Sequence, residues 1–172
     1  AKTHLTRNNY DAAVNDYVKA GEIYGISKKY NDAIKCFTSA IDVKQDSRSA
    51  LVGRAGAYMG NGDYRMSLAD YEKALDLDKK DYQALYGSGV CYFKMSDHKK
   101  ADKQFKKAYK INNNDPYLYQ YMMLTQLARD NITELQDTYA EFKTIANPQE
   151  LAEFKSSSRF EPILRLIKEE NR

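Results

Sequence analysis

The chain has 172 residues, 42% of them hydrophobic and 30% charged, enough to bury a continuous core within one unit. A net charge of +3 gives no general attraction to nucleic acid or to a membrane surface. No apolar run reaches the roughly 18 residues of a membrane helix, and with 8 glycines and 3 prolines there is no low-complexity tract.

A 34-residue period organises the whole chain. Tyr24, Tyr58 and Tyr92 keep this spacing, and so do Phe37, Tyr71, Phe105 and Tyr139. Small residues recur in the columns Gly21, Ala55, Gly89 and Ala33, Ser67, Ala101 and Ala40, Ala74, Ala108, while Val43, Leu77, Ile111 and Ile145 form an apolar column. Such a stack spreads its core along its length and exposes an extended surface that binds other chains.

In chain order, residues 1–13 form an N-terminal extension or a truncated repeat merged into the first helix. Tyr10, Ala13, Val14, Tyr17 and Ala20 echo Tyr64, Ser67, Leu68, Tyr71 and Ala74. Units follow at 14–47, 48–81 and 82–115, each predicted to be two helices joined by a tight turn. In the second unit Leu51, Ala55 and Tyr58 share one face, Asn61-Gly62-Asp63 stops that helix, and Tyr64, Ser67, Leu68, Tyr71, Ala74 and Leu75 continue on the next. Small residues where the helices cross, with rings on either side, specify an antiparallel pair.

The unit at 116–148 is degenerate: it keeps Tyr119 and Tyr139 but carries Met123, Gln126, Leu135 and Phe142 at small or tyrosine positions. Pro116, Pro148 and Pro162 all fall where a helix can begin. Residues 149–172 are therefore predicted to be a helical cap, whose last helix presents Phe160, Ile163, Leu164 and Ile167 as an apolar stripe. That stripe either covers the end of the stack or lies in a groove.

Taken together, the columns resemble the tetratricopeptide repeat family, whose pattern is Trp-x2-Leu-Gly-x2-Tyr, then Ala-x3-Phe, then Pro. Tyr17, Ala20, Gly21, Tyr24, Ala33, Phe37 and Ala40 carry the match in the first unit, and the second and third repeat it. The closing proline is replaced by Gln45, Lys79 and Asn113, so Asp and Asn must set those helix ends. The resemblance implies an all-α fold, a right-handed superhelix of antiparallel helix pairs, whose first helices line a concave face. Its function would be that of a protein-interaction scaffold or adaptor for a protein or peptide partner.

By the same resemblance Gly53, Gly56, Gly60 and Gly87 look into that face with Val18, Val52, Met59, Tyr86, Val90, Phe93, Tyr117, Tyr121 and Leu124. Glycines at Gly53, Gly56 and Gly60 cost a helix roughly 1.5 to 3 kcal/mol together, so an offsetting role is expected. Two readings stand: the missing side chains admit an apolar or amphipathic segment of a partner, or the chain itself packs into the space.

Family members that hold the acidic C-termini of heat-shock chaperones use a clamp of Lys, Asn and Arg. The matching positions here are Val18, Glu22, Gly53, Gln83 and Gly87, which argues against such a ligand. A second candidate surface is the outward row Lys99, Lys103, Lys106, Lys107 and Lys110, read as a solvated face or as a contact for an acidic protein, a membrane or nucleic acid. Nucleic acid ranks last, because no aromatic-interleaved motif accompanies the row.

No catalytic residue, cofactor or metal is expected. His4 lies near a terminus and His98 in a turn, Cys36 and Cys91 are too far apart for a Cys-x-x-Cys motif, and Asp70, Glu72, Asp76 and Asp78 read as solvated surface. The two thiols are expected free and core-facing in a reducing compartment. The cytoplasm is favoured, and export stays open because a start at Ala1 marks a processed or excised piece. Two other roles fit: a holding chaperone for an exported or assembling client, or a regulatory or anchoring module of a larger enzyme.

Overall fold

The computed structural model describes the backbone from Lys2 to Glu169 and the side chains of residues 9–167. Among the described residues it holds helices and no strand: α1 (Lys2–Ile26), α2 (Tyr30–Val43), α3 (Arg48–Asn61), α4 (Tyr64–Leu77), α5 (Tyr82–Lys94), α6 (His98–Tyr109), α7 (Pro116–Ala128), α8 (Ile132–Ile145), α9 (Pro148–Ser156), a 3-10 turn at Ser158–Phe160, and α10 (Glu161–Glu169). The truncated-repeat residues run without a break into α1. Each odd helix up to α7 packs on the even helix that follows it, and each even helix up to α6 packs on the next odd one. Successive odd helices also touch, so α1, α3, α5 and α7 form one layer of an α-solenoid.

The turn inside each unit shows how the sequence sets this geometry. Lys28, Gly62, Ser96 and Asp130 all take left-handed backbone conformations, with φ of 57, 87, 63 and 55°. They stand 34 residues apart, yet only one is glycine. In each turn the following N–H returns to a carbonyl of the preceding helix: Lys29 to Tyr24, Asp63 to Tyr58, Asp97 to Tyr92 and Asn131 to Gln126, each at 2.9 Å. Asp81, Asp97, Asp115, Asn131 and Asn147 then cap the helices that follow them, with side-chain oxygens accepting backbone N–H groups. Of these, Asp81 and Asp115 follow Lys79 and Asn113 and supply the Asp chemistry expected there in place of the family's proline, whereas Ser47, after Gln45, makes no side-chain cap bond.

Within the pairs, Ala33, Ala55, Ser67 and Ala101 are fully buried at the crossings. Ser67 Oγ donates to the Ala55 carbonyl at 2.7 Å and accepts from Cys91 Sγ at 3.2 Å, tying α3, α4 and α5 together. In the degenerate unit Met123 and Leu135 fill the crossing, each fully buried, and Gln126 Nε2 donates to Thr138 Oγ1 at 2.9 Å. The core is correspondingly a chain of four clusters strung along the stack.

The stripe on the last helix covers the end of the stack. Phe160 and Ile163 are buried in the same cluster as Tyr139, Phe142 and Phe154, and the Phe160 ring stacks on Phe154 with centroids 4.3 Å apart. An Asn147–Glu150 capping box and Pro148 at the first position start α9 at the required angle.

One surface expectation fails. Asp70 is 3% exposed and accepts from Arg54 at 2.7 and 2.9 Å through both carboxylate oxygens, while the guanidinium also donates to Thr38 at 3.1 Å. Helical spacing put Asp70 with the solvated carboxylates, but the neighbouring helix brings a cation across it. The pair holds Arg54 above the usual arginine range, chiefly through the Asp70 hydrogen bond.

Candidate functional site

The layer of α1, α3, α5 and α7 changes character along its length, and the 34-residue columns explain why. Glycine or a small reach at the N-terminal end gives way to bulk at the other: Gly25, Met59, Phe93 form one column, Gly53, Gly87, Tyr121 a second, and Gly56, Val90, Leu124 a third. Of the candidate glycines, Gly53, Gly60 and Gly87 do not leave the space free. A Cβ on Gly53 or on Gly21 would run into the Phe37 ring, one on Gly87 into Tyr71, and one on Gly60 into Tyr30. The ring column of each second helix thus inserts between its own first helix and the next. Sequence spacing could not tell a void left for a ligand from a notch filled from within, and at Gly53, Gly60 and Gly87 the notch is filled from within.

Gly56 is different. A Cβ there would have only the Tyr71 hydroxyl near it, at 3.9 Å, and Gly25 has nothing within 4 Å. Both line a cleft of about 410 Å³ between α1 and α3, with Gly21, Glu22, Ile26, Tyr30, Phe37, Gly53 and Ala57. Ile26 stands beside it 83% exposed. Gly25, Ile26 and Tyr30 were not among the sequence-derived candidates, although the Gly25, Met59, Phe93 column carried the signal.

At the other end, Tyr86, Phe93 and Tyr121 are half-buried and come together. The Tyr121 ring meets Tyr86 and Phe93 edge-on, with centroids 5.9 and 5.8 Å away, and stacks on Phe105 at 5.9 Å. Tyr121 therefore occupies the position that Gly53 and Gly87 hold against Phe37 and Tyr71. Arg159, from the 3-10 turn, lies over the Tyr121 ring at 4.7 Å. Burial first, with Tyr121 and Asp115 adding, pushes the Tyr86 hydroxyl well above its ordinary range.

The remaining sequence-derived candidates are dispersed. Val18, Val90 and Leu124 are buried, and Val52 and Met59 are half-buried around the central clusters. Tyr117 is 58% exposed at the start of α7. In the lysine row, Lys106 is bound to Asp102 at 3.2 Å and to Glu134 of α8 at 2.8 Å, which removes it from the free charges. Lys99, Lys103, Lys107 and Lys110 are exposed.

The side chain of His4 lies outside the described residues. His98 packs on Phe93, centroids 5.3 Å apart, and its Nδ1 is buried without a hydrogen-bond partner among the described residues. Cys36 and Cys91 are both free, Cys91 buried and Cys36 half-buried. Burial pushes the Cys91 thiol up, away from the thiolate that nucleophilic chemistry would need. Among the described residues no helix is long and apolar enough to cross a membrane.

Two family profiles described as tetratricopeptide repeat match the chain, over residues 55–116 and 17–47. No curated protein sequence matches it. Among solved structures, MamA protein superposes with a TM-score of 0.68 at 18% identity, covering 91% of each chain. The first repeat domain of Spaghetti (RPAP3), solved with the HSP90 peptide SRMEEVD, gives 0.67 at 19% identity over 69% of this chain and 94% of that one. The Sgt2 repeat domain from Aspergillus fumigatus gives 0.65 at 23% identity, covering 70% and 82%. These likenesses agree with the helix pairs in fold, and with the two matched segments they establish that the chain belongs to the tetratricopeptide repeat family, whose domains generally mediate protein–protein interaction.

Proposed function

We infer that the chain is a non-catalytic adaptor that binds an apolar or amphipathic segment of a partner protein on its first-helix face, anchored in the cleft between α1 and α3. The observation that carries this reading is the open space at Gly25 and Gly56 beside Phe37, Tyr30 and the exposed Ile26. One inserted leucine or isoleucine would gain roughly 1.5 to 3 kcal/mol from burial there. The rest of the face, toward Tyr86, Phe93 and Tyr121, would hold the segment's continuation against aromatic rings.

A chaperone C-terminal peptide of the kind bound by the Spaghetti domain is a poor fit. The five clamp positions offer no cation or amide donor except Gln83, Val18 is buried, and Gly53 and Gly87 are covered by rings. The exposed Ile26 and Ile23, 83% and 64% accessible, favour as a second reading a holding role for an aggregation-prone client.

Gly56→Leu tests the assignment. A Cβ on Gly56 meets nothing closer than the Tyr71 hydroxyl at 3.9 Å and the position lines the cleft, so the fold should persist while the cleft fills. Partners captured from the native cell extract by the unaltered chain should then be lost or bound at least about tenfold more weakly, about 1.4 kcal/mol. Unchanged affinity in a titration with a captured partner removes the cleft from the binding surface.

A further inference from the structure

A second cleft, of about 620 Å³, opens at the edge of the stack where the α4–α5 connection meets the C-terminal end of α6. Its lining is Leu85 and Ile111 with Lys79, Lys80, Lys107 and Lys110. One lysine pair comes from the α4–α5 connection and the other from the C-terminal end of α6, nearly 30 residues on in sequence, and only the packing of α6 on α5 brings them to one opening. Ile111 is 42% exposed, so an apolar side chain is presented inside a ring of four cations.

Among the described residues those four cations are unpaired: none has a carboxylate oxygen within 4.0 Å, whereas Lys100 pairs with Asp97 at 3.1 Å and Lys106 with two acids. Of the acids in the adjoining connections, Asp81 and Asp115 are occupied elsewhere, and Asp78 binds the backbone of the lysine connection itself. Asp81 accepts from the Ala84 N–H and pairs with Arg48, Asp115 accepts from the Tyr82 hydroxyl at 2.5 Å, and Asp78 accepts the Lys80 backbone N–H at 2.9 Å.

We propose that this cleft binds a short acidic segment of a partner protein, one bulky aliphatic side chain seated against Ile111, with the buried Leu85 behind it, and carboxylates on either side reaching the lysine pairs. Charge complementarity selects the acid, and the apolar floor selects the side chain between them. Nucleic acid would satisfy the lysines but leave that floor uncovered, and the lining offers no aromatic ring for a base. A bilayer would meet the lysines, but its plane cannot follow a cleft.

The test uses the full chain and a fluorescein-labelled probe peptide, Glu-Asp-Leu-Asp-Glu, read by anisotropy. Binding should weaken about tenfold or more between low and moderate salt, as screening of several ion pairs requires. The double variant Lys79→Glu/Lys107→Glu, altered only at exposed positions, should lose at least about tenfold in affinity, and serine in place of the probe's leucine about fivefold or more. Gly56→Leu should bind the probe as the unaltered chain does, which separates this surface from the α1–α3 cleft. The proposal is overturned if charge reversal leaves the affinity unchanged, or if the serine probe binds as well as the leucine probe. Stronger lysine-dependent binding to anionic vesicles or to a single-stranded RNA would overturn it as well.

Discussion

The Phe37 ring occupies the notch at Gly53. It lies between Gly21 of α1 and Gly53 of α3, where a Cβ on either glycine would enter the ring, that on Gly21 at 2.8 Å. Phe37 is 3% exposed. The helical glycine that costs about 0.5 to 1 kcal/mol in propensity is thus offset by burial of a ring between two helices.

Gly53→Ala should therefore destabilise the chain by about 1 to 2 kcal/mol, because overpacking outweighs the gain in helix propensity. Gly56→Ala, three residues along the same helix, meets only the Tyr71 hydroxyl at 3.9 Å and should stabilise it by about 0.5 to 1 kcal/mol. Urea denaturation of the two variants checks this. Equal shifts of the same sign would mean that the ring is not held in the notch.

The Arg54–Asp70 pair joins α3 to α4 with side chains only 15% and 5% exposed. Asp70→Ala leaves a desolvated guanidinium with a single remaining acceptor, Thr38, and should cost about 3 to 5 kcal/mol. The double variant Arg54→Met/Asp70→Leu should recover most of that loss, since it removes both charges. A double variant no better than the single one would show the pair to be favourable beyond its own desolvation.

Alkaline pH should unfold the chain earlier than ordinary tyrosines would. Burial, reinforced by the hydrogen bond to Glu72, pushes the Tyr92 hydroxyl up to about 12, and burial raises Tyr71, Tyr82, Tyr86 and Tyr119 further. Each folded value lies above the unfolded one near 10, so the neutral form is the one favoured by folding. Their contribution is complete below pH 10 and is lost as the pH rises through 12 and beyond. Tyr92→Phe should flatten the decline between those values in a denaturation series, and phenolate absorbance from the deeper four should develop only as the chain unfolds.

Much of this architecture was legible because a repeat writes the same physical requirement several times. Small residues at the crossings, Phe37, Tyr71 and Phe105 beside them, and prolines at helix starts each carry a local steric reason that survives without coordinates. The intra-unit turn was legible only at Gly62. Lys28, Ser96 and Asp130 share its left-handed backbone, but their side chains have nothing in common, and the surrounding helices hold them there.

The sequence by itself determined the repeat and the helix pairing, because these follow from side-chain size at fixed spacing. Tertiary structure alone decided which glycines stay open. Whether a missing Cβ leaves space depends on a ring arriving from another helix, and Phe37, Tyr71 and Tyr30 reach Gly53, Gly87 and Gly60 but leave Gly56 and Gly25 free. It also decided which charges are spent, moving Asp70 and Lys106 into ion pairs and gathering Lys79, Lys80, Lys107 and Lys110 around one apolar floor. Spacing along a helix sets which face a side chain leaves by, and only the packing of the next helix sets what it meets there.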